Sequence, residues 1–333
     1  MFYSYKIKNL FKEVITSPAL QKLLHFEDKS IGSILMLHRV DYINENRVRC
    51  HEHLKISPEY LESLILELKE RQFFFVSLDE LYDVLKSKKD SRKLIVFTLD
   101  DGYKDNFTNA LPIFKKYSIH FTIYIPTGMI ENEVVHVWDY LNDLIGENNE
   151  IILSDNSRYK CKSKLDKDKT FLKIRDKIIK IHPENLEKNI TKLFANYNID
   201  LSAYKNGPTM TWGQIKSLKN EPLATIGSHS HSHLDLRYAS KEKIISDINK
   251  AKNLLQQKAN ITPRHFCYPY GNPQKREIDI IKSLNFKTAT TAYPGNIYSR
   301  HIDNLFNLPR FFVAENNSKK MFTQMLWLKY KNR

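Results

Sequence analysis

The chain has 333 residues, 41% hydrophobic and 27% charged, which suits one large α/β domain or two small ones and excludes a disordered or fibrous chain. Its 52 basic and 38 acidic residues give a formal charge of +14, which favours anionic partners (nucleic acid, anionic lipid, a phosphorylated substrate) without choosing among them. Three distant cysteines, Cys50, Cys161 and Cys267, exclude a disulfide framework or a cysteine-based zinc site and suit a reducing compartment.

Residues 1–30 read as short amphipathic helices broken at Pro18, with no secretory signal. Lys6, Lys8, Lys12 and Lys22 beside Ile7, Leu10, Phe11, Val14 and Leu23 form a pattern that would rest on an anionic membrane surface. No stretch approaches the ~20 apolar residues of a membrane span. The expected location is therefore cytoplasmic, peripheral to the inner membrane at most.

Ile31 to Leu37 is a short apolar run ending in His38 and Arg39, which predicts a buried strand. Ser57-Pro58 supplies an N-cap and a first-turn proline for a helix burying Leu61, Leu64, Ile65 and Leu68. Phe73 to Val76 reads as a strand and Leu78 to Leu85 as a short helix. Leu94 to Thr98 is the clearest strand, β-branched and apolar on both faces, as in a parallel sheet. It ends in Asp100-Asp101-Gly102. A helix to Lys116 and a strand over Phe121 to Ile125 follow.

Residues 131–207 are rich in Lys, Asn and Asp, and Phe171, Ile174, Ile178, Ile179 and Ile181 recur at helical spacing, so this stretch reads as a helical insertion. Thr211 and Gln214 form a capping box. Ala224 to Gly227 is a strand, Ser240 caps a helix to about Lys258, Phe266 to Tyr268 is a strand, Asn272-Pro273 opens a helix, and Phe286 to Thr290 is the last strand. Such alternation implies a parallel sheet or barrel of the α/β class. The expected organisation is a barrel over 31–130 and 208–315, the insertion at 131–207, and terminal segments at 1–30 and 316–333.

In a parallel barrel the C-terminal strand ends share one face, where active sites form. His38, Asp100-Asp101 and the histidines of GSHSHSH (227–233) all follow strands. In an extended segment His229, His231 and His233 would point together; in a helical turn His229 and His233 would share a face. Either geometry, with Asp101, makes a two-histidine, one-carboxylate metal site with open positions. Two consecutive carboxylates can divide the work, one on the metal and one as base.

The order TLDDG (98–102), GSHSHSH (227–233) and RHFCYPYGN (264–272) resembles the polysaccharide deacetylases, carbohydrate esterase family four, across residues 31–130 and 208–312. Leu99 stands where the family has Phe. The resemblance implies a distorted (β/α) barrel and a divalent metal, zinc above all, held by Asp101, His229 and His233. Asp100 would be the general base, with His231 a bystander. The backbone N–H of Tyr268 would help hold the oxyanion, and Trp138 would floor a sugar subsite or pack in the core. The family's late leucine-x-histidine motif is missing, and His301 matches it poorly. ILMLH (34–38) carries the pattern near the N-terminus instead, as in the permuted biofilm poly-N-acetylglucosamine deacetylases, which gives the acid role to His38. Two arginines, Arg264 and Arg310, compete to orient the base.

The activity so implied is removal of N-acetyl groups from amino sugars of a bacterial surface glycan or a lipid-linked precursor. An O-acetyl esterase on the same scaffold is the alternative, since both reactions pass through a similar tetrahedral intermediate. A nonenzymatic glycan- or nucleic-acid-binding module is favoured only by the charge, and the complete set of metal and base residues argues against it.

Overall fold

The computed structural model describes residues 30–87, 93–181 and 185–315. The basic segment at 1–29 and the tail at 316–333, with the membrane reading attached to the former, lie outside the described residues. Among the described residues no helix is long and apolar enough to cross a membrane.

The frame is a nine-stranded sheet: β1 (Ser30–Leu37), β2 (Phe74–Phe75), β3 (Leu94–Leu99), β4 (Phe121–Ile125), β5 (Ala224–Ser228), β6 (His265–Cys267), β7 (Thr288–Thr290), β8 (Ile297–Tyr298) and β9 (Phe311–Phe312). The strand order is β7-β6-β5-β4-β3-β1-β8, with β2 against β3 and β9 against β1. Every pairing is parallel except β1 with β8. β3 and β4 are buried along their whole length, as their mostly apolar sequences require.

Around the sheet lie α1 (Pro58–Glu70), α2 (Leu78–Ser87), α3 (Leu111–Tyr117), α7 (Trp212–Lys219), α8 (Lys241–Ala259) and α9 (Lys275–Lys282). α1 starts where Ser57 accepts from the Tyr60 N–H and buries Leu61, Leu64, Ile65 and Leu68. The Thr211–Gln214 box opens α7 and Ser240 caps α8. The last helix begins later than Asn272-Pro273 suggests: Gln274 is its cap, in a box with Glu277.

The sheet curls into a distorted half-barrel, and one irregular segment joins its two sides. Leu308 bridges to Thr290 at the end of β7, and Phe311 and Phe312 then pair with Leu35 and Met36 of β1. Arg310 lies on this crossing.

Residues 131–207 form a subassembly with its own core. α4 (Val137–Glu147), α5 (Lys164–Ile179) and α6 (Leu186–Leu193) enclose Leu141, Ile145, Phe171, Ile174, Ile178 and Ile190. A hairpin of Glu150–Ile152 and Arg158–Lys160 adds strand that the helical periodicity did not predict. Val48 and Cys50, from the loop after β1, pack into the same cluster, which ties the insertion to the barrel mouth.

Polar residues at the N-terminal strand ends serve stability instead. Asp79, at the start of α2, accepts from Lys287 at 2.9 Å, pairs with Arg264, and lies 3.5 Å from the His265 ring. Burial alone would raise the Asp79 carboxyl, but His265, Lys287 and Arg264 hold it well below the ordinary range. A depressed carboxyl stabilises the fold above its unfolded pKa and loses that contribution as pH falls. Asp79→Asn is therefore expected to destabilise the protein by roughly 1–3 kcal/mol near neutral pH. The gap should narrow below about pH 4. Urea unfolding across this range measures it; a gap that is flat in pH would contradict the assignment.

Candidate metal centre and active site

Sheet register assembles the site. Leu37 pairs with Leu99, and the Asp100 N–H donates to the Leu37 carbonyl at 2.9 Å, so His38 and Asp100 leave adjacent strands side by side. Ile125 and Phe266 both pair with Ser228, which places His229 beside Cys267. The four chain segments meet at the C-terminal ends of β1, β3, β5 and β6.

Asp101 turns into the site with φ +70°, followed by Gly102 at +61°. This conformation costs a non-glycine residue about 1 kcal/mol, a strain typical of functional turns. Ser230 and His233 also have positive φ, at +63° and +49°. The histidine segment is thus neither extended nor helical but a kinked turn. It brings His229 and His233 together, ring centroids 5.0 Å apart, and turns His231 away. His231 bonds Thr127 Oγ1 at 2.9 Å and Glu133 Oε2 at 3.0 Å, a structural role.

The Nε2 atoms of His229 and His233 lie 3.4 and 3.2 Å from Asp101 Oδ1. Tetrahedral ligands at 2.0–2.2 Å from zinc stand about 3.3–3.5 Å from one another, so this spacing fits an ion. Asp101 Oδ1 is buried and has no hydrogen-bond partner, a cost that a bound cation would remove. His229 Nδ1 donates to the Cys267 carbonyl at 2.8 Å, which leaves Nε2 free to ligate. Burial raises the Asp101 carboxyl, but His233 and His229 overcome it and hold it well below its usual range. Burial opposes charge on His229, yet Cys267 and the Asp101 and Asp100 carboxylates raise it well above the ordinary imidazole value.

Asp100 is held by a fork. Arg310 Nη1 and Nη2 donate to its two carboxylate oxygens at 2.8 and 2.7 Å. Arg310 is 1% exposed and also donates to the Thr291 carbonyl and Thr98 Oγ1, with Cys267 Sγ at 3.1 Å. Burial pushes Asp100 up, and Arg310 brings it below the ordinary carboxyl range, so it stays ionised. His38 lines the same pocket, its Nδ1 buried and without a partner. Burial lowers its pKa, partly opposed by Asp101 and Asp100.

Two sequence expectations need correction. Arg264 precedes β6, hence lies at the N-terminal face and pairs with Asp79; Arg310 alone of the two reaches Asp100. The Tyr268 N–H donates to the Thr290 carbonyl at 3.2 Å, so sheet pairing takes the proton assigned to an oxyanion. The Tyr268 ring still lines the pocket. His301 accepts from the Tyr298 N–H beside β8, which pairs with the opposite end of β1 from His38.

The pocket holds about 330 Å³ and opens over the Asp101–His229–His233 cluster. Trp138 forms part of its wall, edge-on to Tyr270. Sequence reasoning missed Tyr270, His51 and Arg175. Tyr270 sits in the YPYG motif with φ +61° and packs 5.1 Å from the His233 ring; only its motif offered a signal. His51 and Arg175 come from the loop after β1 and from α5, where no motif marks them.

The geometry is matched by comparison with known proteins. Residues 87–153 and 176–289 match the family model described as polysaccharide deacetylase, more than half of the chain. The chain belongs to the polysaccharide deacetylase family. A poly-β-1,6-N-acetyl-D-glucosamine N-deacetylase of Escherichia coli K12 is 21% identical over 283 residues, 85% of this chain and 37% of that protein. The enzyme of the same name from Staphylococcus aureus MRSA252 is 20% identical over 272 residues, 79% of this chain and 69% of that one. This chain thus spans little more than a third of its Escherichia coli relative. Among solved structures, the Streptococcus pyogenes deacetylase PplD in complex with acetate superposes with a TM-score of 0.59 at 19% identity, covering 88% of this chain and 97% of that one. IcaB from Ammonifex degensii gives 0.58 at 16% identity, covering 90% and 97%. These likenesses show the shared barrel fold of the deacetylases.

The metal centre makes a direct prediction. Metal-stripped protein should bind one equivalent of Zn²⁺ and, near neutral pH, release a proton from His229 as it does so. His229→Ala and His233→Ala should each lose tight binding. Calorimetry in buffers of different ionisation enthalpy measures both; full occupancy in either variant would refute the ligand set.

Proposed function

We propose that the protein is a metal-dependent hydrolase that removes N-acetyl groups from amino sugars of a bacterial surface glycan or its precursor. The observation that carries this reading is the convergence of Asp101, His229 and His233 beside the Asp100–Arg310 fork and His38 in one pocket. The names of the relatives, poly-β-1,6-N-acetyl-D-glucosamine N-deacetylases, favour the amide over the ester substrate.

Asp101, His229 and His233 would hold the ion, and two nitrogens with one oxygen at tetrahedral spacing favour zinc. A bound divalent ion supplies Lewis acidity to the acetyl carbonyl and acidity to water at the site. The chain's own residues handle the protons. Arg310 keeps Asp100 ionised and fixed in direction, so Asp100 can take the proton of the attacking water. The amine is a poor leaving group until protonated. His38, on the neighbouring strand end, donates that proton to the departing nitrogen. The C–N bond breaks and acetate and the free amino sugar remain. Trp138 offers a flat apolar face to the sugar ring.

The test is acetate release from β-1,6-linked N-acetylglucosamine oligomers, set against O-acetylated sugars. Asp100→Asn should retain metal and lose ~10²–10⁴ in turnover. His38 acts protonated, so activity should fall as pH rises past its pKa, and His38→Ala should remove that alkaline limb. An active Asp100→Asn enzyme would rule out the base assignment. Acetate from O-acetylated sugars alone would make the protein an esterase.

A further inference from the structure

Among the residues lining the pocket, Asp100 is paired with Arg310, and the single charge of Asp101 is smaller than that of the divalent ion it would hold, so with the ion bound Arg175 adds to an excess of positive charge. Asp139, next to Trp138, is met by Arg47 at 3.4 Å and by the His51 ring at 3.3 Å. Arg175 of α5 stands apart. Its guanidinium carbon lies 5.7 Å from the Trp138 ring centroid and 6.0 Å from that of Tyr270. Among the described residues its ion pair is with Asp176, the next residue, at 3.9 Å and 70% exposed, a contact that water screens heavily.

Two aromatic faces therefore hold a cation against the pocket without a buried counter-charge. Tyr270 is the ring between this cation and the ligand imidazole of His233. An N-acetylated sugar is neutral and gives such a cation nothing to neutralise. A guanidinium fork matches the paired oxygens of a phosphate or carboxylate. We propose that Arg175, supported by Trp138 and Tyr270, forms a subsite for an anionic oxygen group, phosphate or carboxylate, carried by the amino-sugar substrate. The subsite rests on the deacetylase reading and names its substrate class: an acidic glycan or phosphorylated precursor, taken in preference to a neutral homopolymer. Trp138 lies within the stretch that matches the family model, whereas Arg175 falls in the unmatched stretch between residues 153 and 176.

The test uses the full, metal-loaded chain and three sugars with no acetyl group to lose: glucosamine, glucosamine 6-phosphate, and a glucosaminyl–glucuronate disaccharide. Calorimetry should show at least one acidic sugar binding about tenfold more tightly than glucosamine, an advantage that shrinks with added salt. The favoured acidic sugar identifies phosphate or carboxylate as the group. In Arg175→Gln the ratio of affinities should fall to within about twofold of unity, and Arg175→Lys should be intermediate. Equal binding of all three sugars would overturn the proposal. So would a preference that survives Arg175→Gln, since the anion would then sit on the metal. Binding needs no hydrolysis: an Arg175-dependent preference without acetate release from any acetylated sugar would sink the deacetylase reading, not the subsite.

Discussion

The buried fork between Arg310 and Asp100 is the contact on which the rest of the site depends. It joins residues 210 apart in sequence, one at the end of β3 and one on the segment that bridges β7 to β1. A buried ion pair is costly unless every donor is used. Here Nε, Nη1 and Nη2 of Arg310 direct their five N–H groups at the Thr291 carbonyl, Thr98 Oγ1, both Asp100 oxygens and Cys267 Sγ. The fork fixes the Asp100 carboxylate, and it also fixes where the chain must cross to complete the barrel. Asp101, the next residue, then enters the left-handed turn that aims it at the two imidazoles.

The parts of the fold that were legible in the sequence are those with strong periodic signals. β3 and β4 are continuous apolar runs buried on both faces, and the caps at Ser57, Thr211 and Ser240 stand where their side chains bond the first helical N–H groups. The closing segment was not legible, because β9 is two residues long and carries no pattern. Arg264 fits the motif and Arg310 stands only as a second candidate in the sequence, yet Arg310 is the one that meets Asp100. Strand direction separates them: Arg264 precedes a parallel strand and so belongs to the opposite face. The Tyr268 N–H failed for a related cause, since only the pairing of β6 with β7 reveals that Thr290 accepts it. The histidine turn shows the reverse case. Sequence spacing left two geometries open, and positive φ at Ser230 and His233 produces a third that still unites the same two rings.

Trp138 on α4 and Arg175 on α5 line the pocket from a helical cluster with its own core. His51, from the loop that packs against that core, lies 3.3 Å from Asp139 beside them. Strand ends of the sheet, where register is strict, hold His38, Asp100, Asp101 and His229, and α4 and α5 supply Trp138 and Arg175 to the pocket wall.

X-ray absorption at the zinc edge reads the Asp101–His229–His233 ligand set directly. The zinc-loaded protein should show a four- or five-coordinate ion with two imidazole nitrogens and a carboxylate oxygen at about 2.0–2.2 Å and no sulfur, the rest of the shell being water. A sulfur scatterer at about 2.3 Å would move the ion to the neighbouring Asp100–His229–Cys267 group and contradict the account.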